Sequence, residues 1–197
     1  GIGLGWQASE FEALGENFRN RGKRMDEAID LMRACGRDER IDYRSEHYQS
    51  VAMGMEPKPP RGDIPIWIGG NTEAAFRRVG QYGDGWLASQ VTDEAFARNA
   101  MSRIRAFAEE SGRDPNQIGW QSMVAPPPRP GDTAAKTYYA DHDEVARRVA
   151  ALREMGFEYA ALNATAVFQA GARSVDAMID ALGQLHDRLR REVGPAD

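Results

Sequence analysis

Ile64-Pro65-Ile66-Trp67-Ile68-Gly69-Gly70-Asn71-Thr72-Glu73 is an apolar run of strand length that ends in two glycines and passes at once into a helix start. Polar alternation is nearly absent from the run, which is the profile of a strand covered on both faces, as in a parallel sheet. Residues 71–79 read as the helix that follows, so the stretch is one βα unit. The same order recurs downstream. Gly85-Trp86-Leu87-Ala88 reads as a short strand and residues 92–110 as a long amphipathic helix. Residues 118–124 read as a strand, 125–132 as a Pro/Gly-rich loop, and 141–155 as a helix capped by Asp141. Residues 157–163 read as a strand and 174–193 as a last helix capped by Ser174.

Upstream of the run, Gly1-Ile2-Gly3-Leu4-Gly5-Trp6 is a strand-like start. A short helix follows, with Ser9 as its cap, Glu12 closing a capping box and Gly15 as its end. From residue 18 to about 35, Met25, Ala28, Ile29, Met32 and Cys35 recur at helical spacing, and Gly36 is expected to stop that helix. Residues 41–43 and 47–51 read as a small hairpin near 40–52. Pro57-Lys58-Pro59-Pro60-Arg61-Gly62 is a stiff, extended connector into the apolar run.

The chain is therefore βα repeated about five times, with the hairpin inserted in the first repeat, which means a parallel sheet flanked by helices. A closed (β/α)8 barrel needs eight units and typically about 250 residues. Here five units use all 197 residues. The expected fold is α/β of the TIM-barrel type, an incomplete barrel of about five βα units lacking the N-terminal strands. On this reading residues 1–197 form a single partial domain. A complete five-stranded doubly wound domain is the alternative, and strand order separates the two, because only an open doubly wound sheet has a switch point.

Charge and composition exclude several function classes. Lys and Arg number 25 against 30 Asp and Glu, a net charge of −5. The basic positions are scattered along helices, so the sequence offers no footprint for nucleic acid. No apolar run approaches the roughly 20 residues that span a bilayer, and Gly1–Gly5 lacks the charged-then-apolar profile of a signal peptide. Cys35 is the sole cysteine, which rules out an internal disulfide and a Cys-based zinc site. A reducing, cytoplasmic setting is expected.

Two glycine-rich strand ends carry the chemistry. Gly69 and Gly70 let a ligand approach the backbone, and the N–H groups and positive dipole end of the next helix favour an anion. The Asn71 and Thr72 side chains add hydrogen bonds for phosphate oxygens. A tight turn with an ordinary Asn cap is the equal alternative. Gly1-Ile2-Gly3-Leu4-Gly5-Trp6 lacks the dinucleotide fingerprint, because position 6 is Trp6 and not glycine. Small residues at that strand end suit either a backbone wall against a flat ring system, with Trp6 covering it, or a crowded barrel interior. Gly83-Asp84-Gly85-Trp86 places a turn before a strand whose Trp86 is core and whose Ala88-Ser89-Gln90 lies at the end where barrel sites sit.

No nucleophile–base pair can be read, and no catalytic side chain is assigned. His142 reads as a solvated first-turn residue, His186 as surface, and His47, on the hairpin near Tyr43 and Tyr48, as either a packing residue or a substrate contact. No H-x-x-x-H cluster is present, so a metal enzyme is not expected. Arg21, Lys23, Arg24, Asp26 and Glu27 read as a helix face with local ion pairs. A chain of this kind serves an enzyme when a cofactor supplies the reactivity.

Three segments in this order resemble the bacterial luciferase-like flavin/deazaflavin oxidoreductases. They are Gly1–Trp6 followed by Glu10-Phe11-Glu12-Ala13-Leu14-Gly15; Arg21-Gly22-Lys23-Arg24-Met25-Asp26-Glu27-Ala28-Ile29; and Pro57-Lys58-Pro59 leading to Pro65-Ile66-Trp67-Ile68-Gly69-Gly70-Asn71, then Gly83-Asp84-Gly85-Trp86. The set is specific jointly, covers nearly the whole chain, and looks most like the actinobacterial subgroup that uses the deazaflavin coenzyme. The resemblance implies a (β/α)8 barrel with the ring of coenzyme F420 or FMN at the C-terminal ends of the strands. It also implies a cofactor phosphate at Gly69, Gly70, Asn71 and Thr72, the cofactor beside Leu4, Gly5 and Trp6, and hydride transfer or oxygen activation on a small-molecule substrate. Cys35-Gly36 and Ser45 depart from the family pattern in minor ways, and the first three strands have no counterpart. A non-catalytic truncated member serving assembly or small-anion binding is the alternative. Either way the open sheet edges predict a homodimer or pairing with an N-terminal segment.

Overall fold

The computed structural model describes residues 1–124, 138–192 and 194. The chain divides into two compact units, residues 1–86 with 104–118, and residues 87–103 with 119–197. The 125–132 loop lies outside the described residues.

In the first unit, Ile2 forms a parallel bridge with Ile68, its N–H donating to Trp67 O and its carbonyl accepting from Gly69 N, both at 2.8 Å. Helix α1 spans Ala8–Ala13. Ser9 does not cap it: Gln7 is the N-cap with no side-chain cap bond, and the Ser9 hydroxyl instead accepts from Gln7 Nε2. Helix α2 is Arg21–Arg37, preceded by a 3-10 turn at Phe18–Asn20. Gly36 does not stop it. It is buried in the last turn, where a Cβ would touch Gly62 O and Pro59 Cγ of the connector, and the helix ends at extended Asp38. The hairpin is β1, Ile41–Arg44, antiparallel to β2, Gln49–Met53, and matches its expected place.

Strand β3, Trp67–Gly69, is the core of the quoted run, and helix α3, Glu73–Tyr82, follows. Strand β4 is Gly85–Gln90 and helix α4 is Glu94–Glu110, opened by Asp93 Oδ1 accepting from Ala95 N at 2.8 Å. The fully buried Trp86 packs edge-on against Phe76 at 5.5 Å between ring centroids and donates from Nε1 to Gly70 O at 2.9 Å. A Cβ at Gly80 would lie 2.6 Å from Phe107 Cβ and 2.7 Å from Ile104 O, so the absent side chain lets α4 close on α3.

In the second unit, β5, Gly119–Met123, pairs in parallel with β6, Tyr159–Ala161, in the register Gln121 to Tyr159, Ser122 to Ala160 and Met123 to Ala161. Helix α5, His142–Glu154, is capped as expected, Asp141 Oδ1 accepting from Glu144 N at 3.0 Å. Helix α6, Ala164–Gln169, was not legible as a helix in the sequence. Helix α7, Val175–Glu192, is capped by Ser174 Oγ, and Arg188 ties it to Asp143 of α5.

Strands β3 to β6 form one parallel sheet in the order β3-β4-β5-β6, and Ile2 sits beside β3. Among the described strands the order never reverses. That is an arc of a barrel and not a doubly wound sheet, whose order turns back at a switch point.

Candidate functional site

The turn from β3 to α3 is built by two conformational constraints. Gly70 has φ +131°, and a Cβ there would stand 2.8 Å from Ala75 Cβ, so only glycine lets the chain turn this tightly over the helix start. Its carbonyl is held by Trp86 Nε1, which fixes the peptide plane. Thr72, not Asn71, is then the N-cap: its backbone is extended and Oγ1 accepts from Ala75 N at 3.3 Å. The threonine hydroxyl wins because it is the residue directly before the first helical turn.

Gly70, Asn71, Thr72, Glu73 and Ala74 are all exposed, while Ala75 and Phe76 behind them are buried. The helix start is thus open at the C-terminal end of β3 and backed by core. Gly69 N is already used by Ile2 O, so Gly69 contributes closeness of backbone and not a donor. Glu73 adds a negative charge to the same turn. The polar groups that the turn exposes are the backbone at the helix start and the side chains of Asn71, Thr72 and Glu73. Gly70's bare backbone and the open first turn fit the phosphate of a flavin-type cofactor.

Leu4, Gly5 and Trp6 follow the Ile2 bridge, next to β3 in the same unit. Leu4 is half-buried, and Gly5 turns with φ +73° where a Cβ would press on the Phe11 ring at 3.1 Å. Trp6 is 84 % exposed, its indole standing in solvent. The structure thus brings both glycine-rich segments to the same ends of neighbouring strands.

The charge run on α2 is not locally paired. Lys23 pairs with Glu46 of the hairpin, Arg24 with Glu16, and Asp26 with Arg78 of α3, whose side chain is only 9 % exposed. The spacing looked like i,i+3 and i,i+4 pairs, but the tertiary fold supplies each partner from another element. Asp84 is a second hub the sequence did not reveal. Its Oδ2 accepts from Ile66 N at 2.6 Å and from Arg33, while Arg113 covers the carbonyls of Gly80 and Gly83 at 2.6 and 2.7 Å. These groups lie at the N-terminal ends of β3 and β4, the face of a barrel that serves stability.

His47 sits by the hairpin turn as expected, with its N–H donating to Glu27 Oε2 at 2.8 Å. The hydrogen bond from Ser45 first, and then the His47 N–H, hold the Glu27 carboxyl below its ordinary range. His186 is exposed and His142 half-buried at the start of α5. Glu27, Glu46 and His47 bring ligand atoms within 4.8 Å of one another, with Lys23 already bonded to Glu46.

Comparison with known proteins gives the class. The family model described as luciferase-like monooxygenase matches residues 1–188, and the chain belongs to that family. An uncharacterised protein of Mycobacterium tuberculosis is 31 % identical over 113 residues, 57 % of this chain and 38 % of the relative. An F420-dependent glucose-6-phosphate dehydrogenase of Segniliparus rotundus is 28 % identical over 123 residues, 60 % of this chain and 36 % of its own. An F420-dependent hydroxymycolic acid dehydrogenase of Mycobacterium tuberculosis is 31 % identical over 121 residues, 60 % and 33 %. The matches thus span between about a third and two fifths of these curated relatives.

Among solved structures, an F420-dependent secondary alcohol dehydrogenase in complex with an F420-acetone adduct superposes with a TM-score of 0.74. It is 16 % identical and is covered over 68 % of its length by 96 % of this chain. That likeness carries the fold: α/β of the (β/α)8 type, represented here by about five βα units. No helix among the described residues is long and apolar enough to cross a membrane.

Proposed function

We propose that this chain is the cofactor-phosphate-binding part of a coenzyme F420-dependent oxidoreductase acting on a small-molecule substrate. The observation that carries the reading is the open helix start at Gly70–Thr72, backed by Trp86 and set beside Leu4–Trp6, in a member of a family whose F420-dependent relatives match the chain. Coenzyme F420 when bound supplies hydride transfer at its deazaflavin ring. The protein's part is to bind and orient it. The N–H groups of the α3 start and the Thr72 hydroxyl hold the phosphate, the bare backbone of Gly69 and Gly70 admits it, and Leu4 and Gly5 stand beside the ring. FMN has the same ring-plus-phosphate layout and is the competing cofactor.

Fluorescence titration of the chain with coenzyme F420 and, separately, with FMN tests this. Saturable F420 binding, tighter than FMN and weakened by Gly70→Ala, is the expected result. If neither cofactor binds, even after an N-terminal segment supplying the remaining strands is added, the oxidoreductase reading fails. On this reading the chain works as one partial barrel domain in the cytoplasm and completes its sheet by pairing with a second copy or such a segment.

A further inference from the structure

A pocket of about 160 Å³ opens beside Leu4 in the first unit. Its apolar wall is Leu4, Phe11 of α1, and Met25 and Ala28 of α2. Its polar wall is Arg21 and Arg24 of the α2 start with Tyr48 from the hairpin turn. The volume is worth about five waters at roughly 30 Å³ each, room for an acid group and a short apolar stem.

The charge on the polar wall is not balanced. Arg24 pairs with Glu16 and is hydrogen-bonded to Tyr48, the latter first among the contacts that raise its pKa. Arg21 lies over the Phe18 ring at 3.6 Å to the centroid and donates Nη1 to Phe18 O at 2.7 Å. Its Nε is buried with no hydrogen-bond partner among the described residues, and so is the neighbouring Asn20 Oδ1. The remaining carboxylates on this stretch of α2 are committed elsewhere, Asp26 to Arg78 and Glu27 to the His47 N–H. Two guanidiniums therefore meet one carboxylate at the positive end of a 17-residue helix. Arg21 Nε is thus a single buried donor left without a partner, which marks a place where an acceptor is wanted, whereas Asn20 Oδ1 is itself an acceptor.

We propose that this pocket is a substrate subsite that takes the carboxylate end of a compact, otherwise apolar molecule, with Arg21 and Arg24 answering the acid group and Phe11 and Met25 packing its stem. An acid suits the wall better than a neutral alcohol because the guanidinium fork bonds a carboxylate in two places. The inference rests on the proposed function, since Leu4 joins the pocket to the segment read as lying beside the cofactor.

Titration of the full chain with sodium benzoate, and with benzyl alcohol as its uncharged counterpart, by ligand-observed NMR tests it. Coenzyme F420 affinity is measured in parallel. Benzoate binding at least tenfold tighter than benzyl alcohol is expected. Arg24→Gln and Arg21→Gln should each weaken benzoate about tenfold, with F420 affinity unchanged and the circular dichroism of the wild type retained. Arg24→Lys keeps the charge and should recover part of the loss, which a variant that merely unfolds would not do. Benzoate binding with no binding of F420 or FMN, even after the N-terminal segment is added, would leave the subsite standing and remove the proposed function. F420 binding with no benzoate binding, or equal binding of acid and alcohol, overturns the subsite alone.

Discussion

Gly70 and Thr72 sit two residues apart and are constrained in opposite ways. At Gly70 the backbone needs φ +131° and has no room for a Cβ. Gly70→Ala should therefore cost about 1–3 kcal/mol of stability, read from the denaturant midpoint, and should weaken F420 binding in the titration above. At Thr72 the backbone is unstrained and the hydroxyl matters. Thr72→Ala should cost about 1 kcal/mol, while Thr72→Ser stays close to wild type. Glu27 gives a pH signature. Its carboxyl is depressed in the folded chain, so its stabilising contribution is present above the ordinary carboxylate value of about 4.3 and is lost as pH falls through the lower folded value. Acid-limb unfolding profiles should show this loss in the wild type and a flatter limb in Glu27→Gln. Identical limbs would mean that the Ser45 and His47 bonds add nothing.

Elements in the first unit are joined by charge as well as by apolar packing. Asp26 of α2 and Arg78 of α3 form a mostly buried pair, and Arg78 also reaches Gly22 O at 3.3 Å. Asp26→Asn leaves a desolvated guanidinium facing a neutral amide. It should destabilise by about 2–3 kcal/mol in a urea series, less than for a fully buried pair because Asp26 keeps some solvent. Helix spacing made α2 readable, since its apolar positions Met25, Ala28, Ile29, Met32 and Cys35 recur at the helical period. The pairing of Asp26 with Arg78 was not readable, because 52 positions separate them and nothing local selects one partner over another. For the same reason Asp84 read as a turn residue, although the fold makes it the acceptor for both the Ile66 amide just before β3 and Arg33.

For the whole molecule, the consequence of about five βα units is an unfinished sheet. Among the described strands β6 stands last in the order, and in the second unit Tyr159 of β6 and Val175 and Ile179 of α7 are 59 %, 72 % and 61 % exposed. A sheet edge without a neighbour among the described strands and exposed apolar side chains each favour association. Light scattering of the 197-residue chain should give a mass above 21.8 kDa, and adding a segment that supplies the missing βα units should lower it to that of a one-to-one complex. A stable particle of 21.8 kDa would overturn this expectation.

The sequence by itself determined the βα repeat, the hairpin, the run that contains β3, the place where β4 begins, and the glycine-rich handover at residues 69–72. These follow from local rules: apolar run length, period, and the backbone freedom of glycine. Helix ends were legible where an Asp or Ser stood directly before the first turn, as at Asp141 and Ser174, and misread at Ser9 and Gly36, where neighbours outside the helix decide. Only the tertiary structure decided that the strands run in chain order without reversal, that Trp86 holds the Gly70 carbonyl, and that Arg21, Arg24 and Tyr48 meet around one pocket. Those depend on which distant residues share a place, and chain separation carries no information about that until the core has packed.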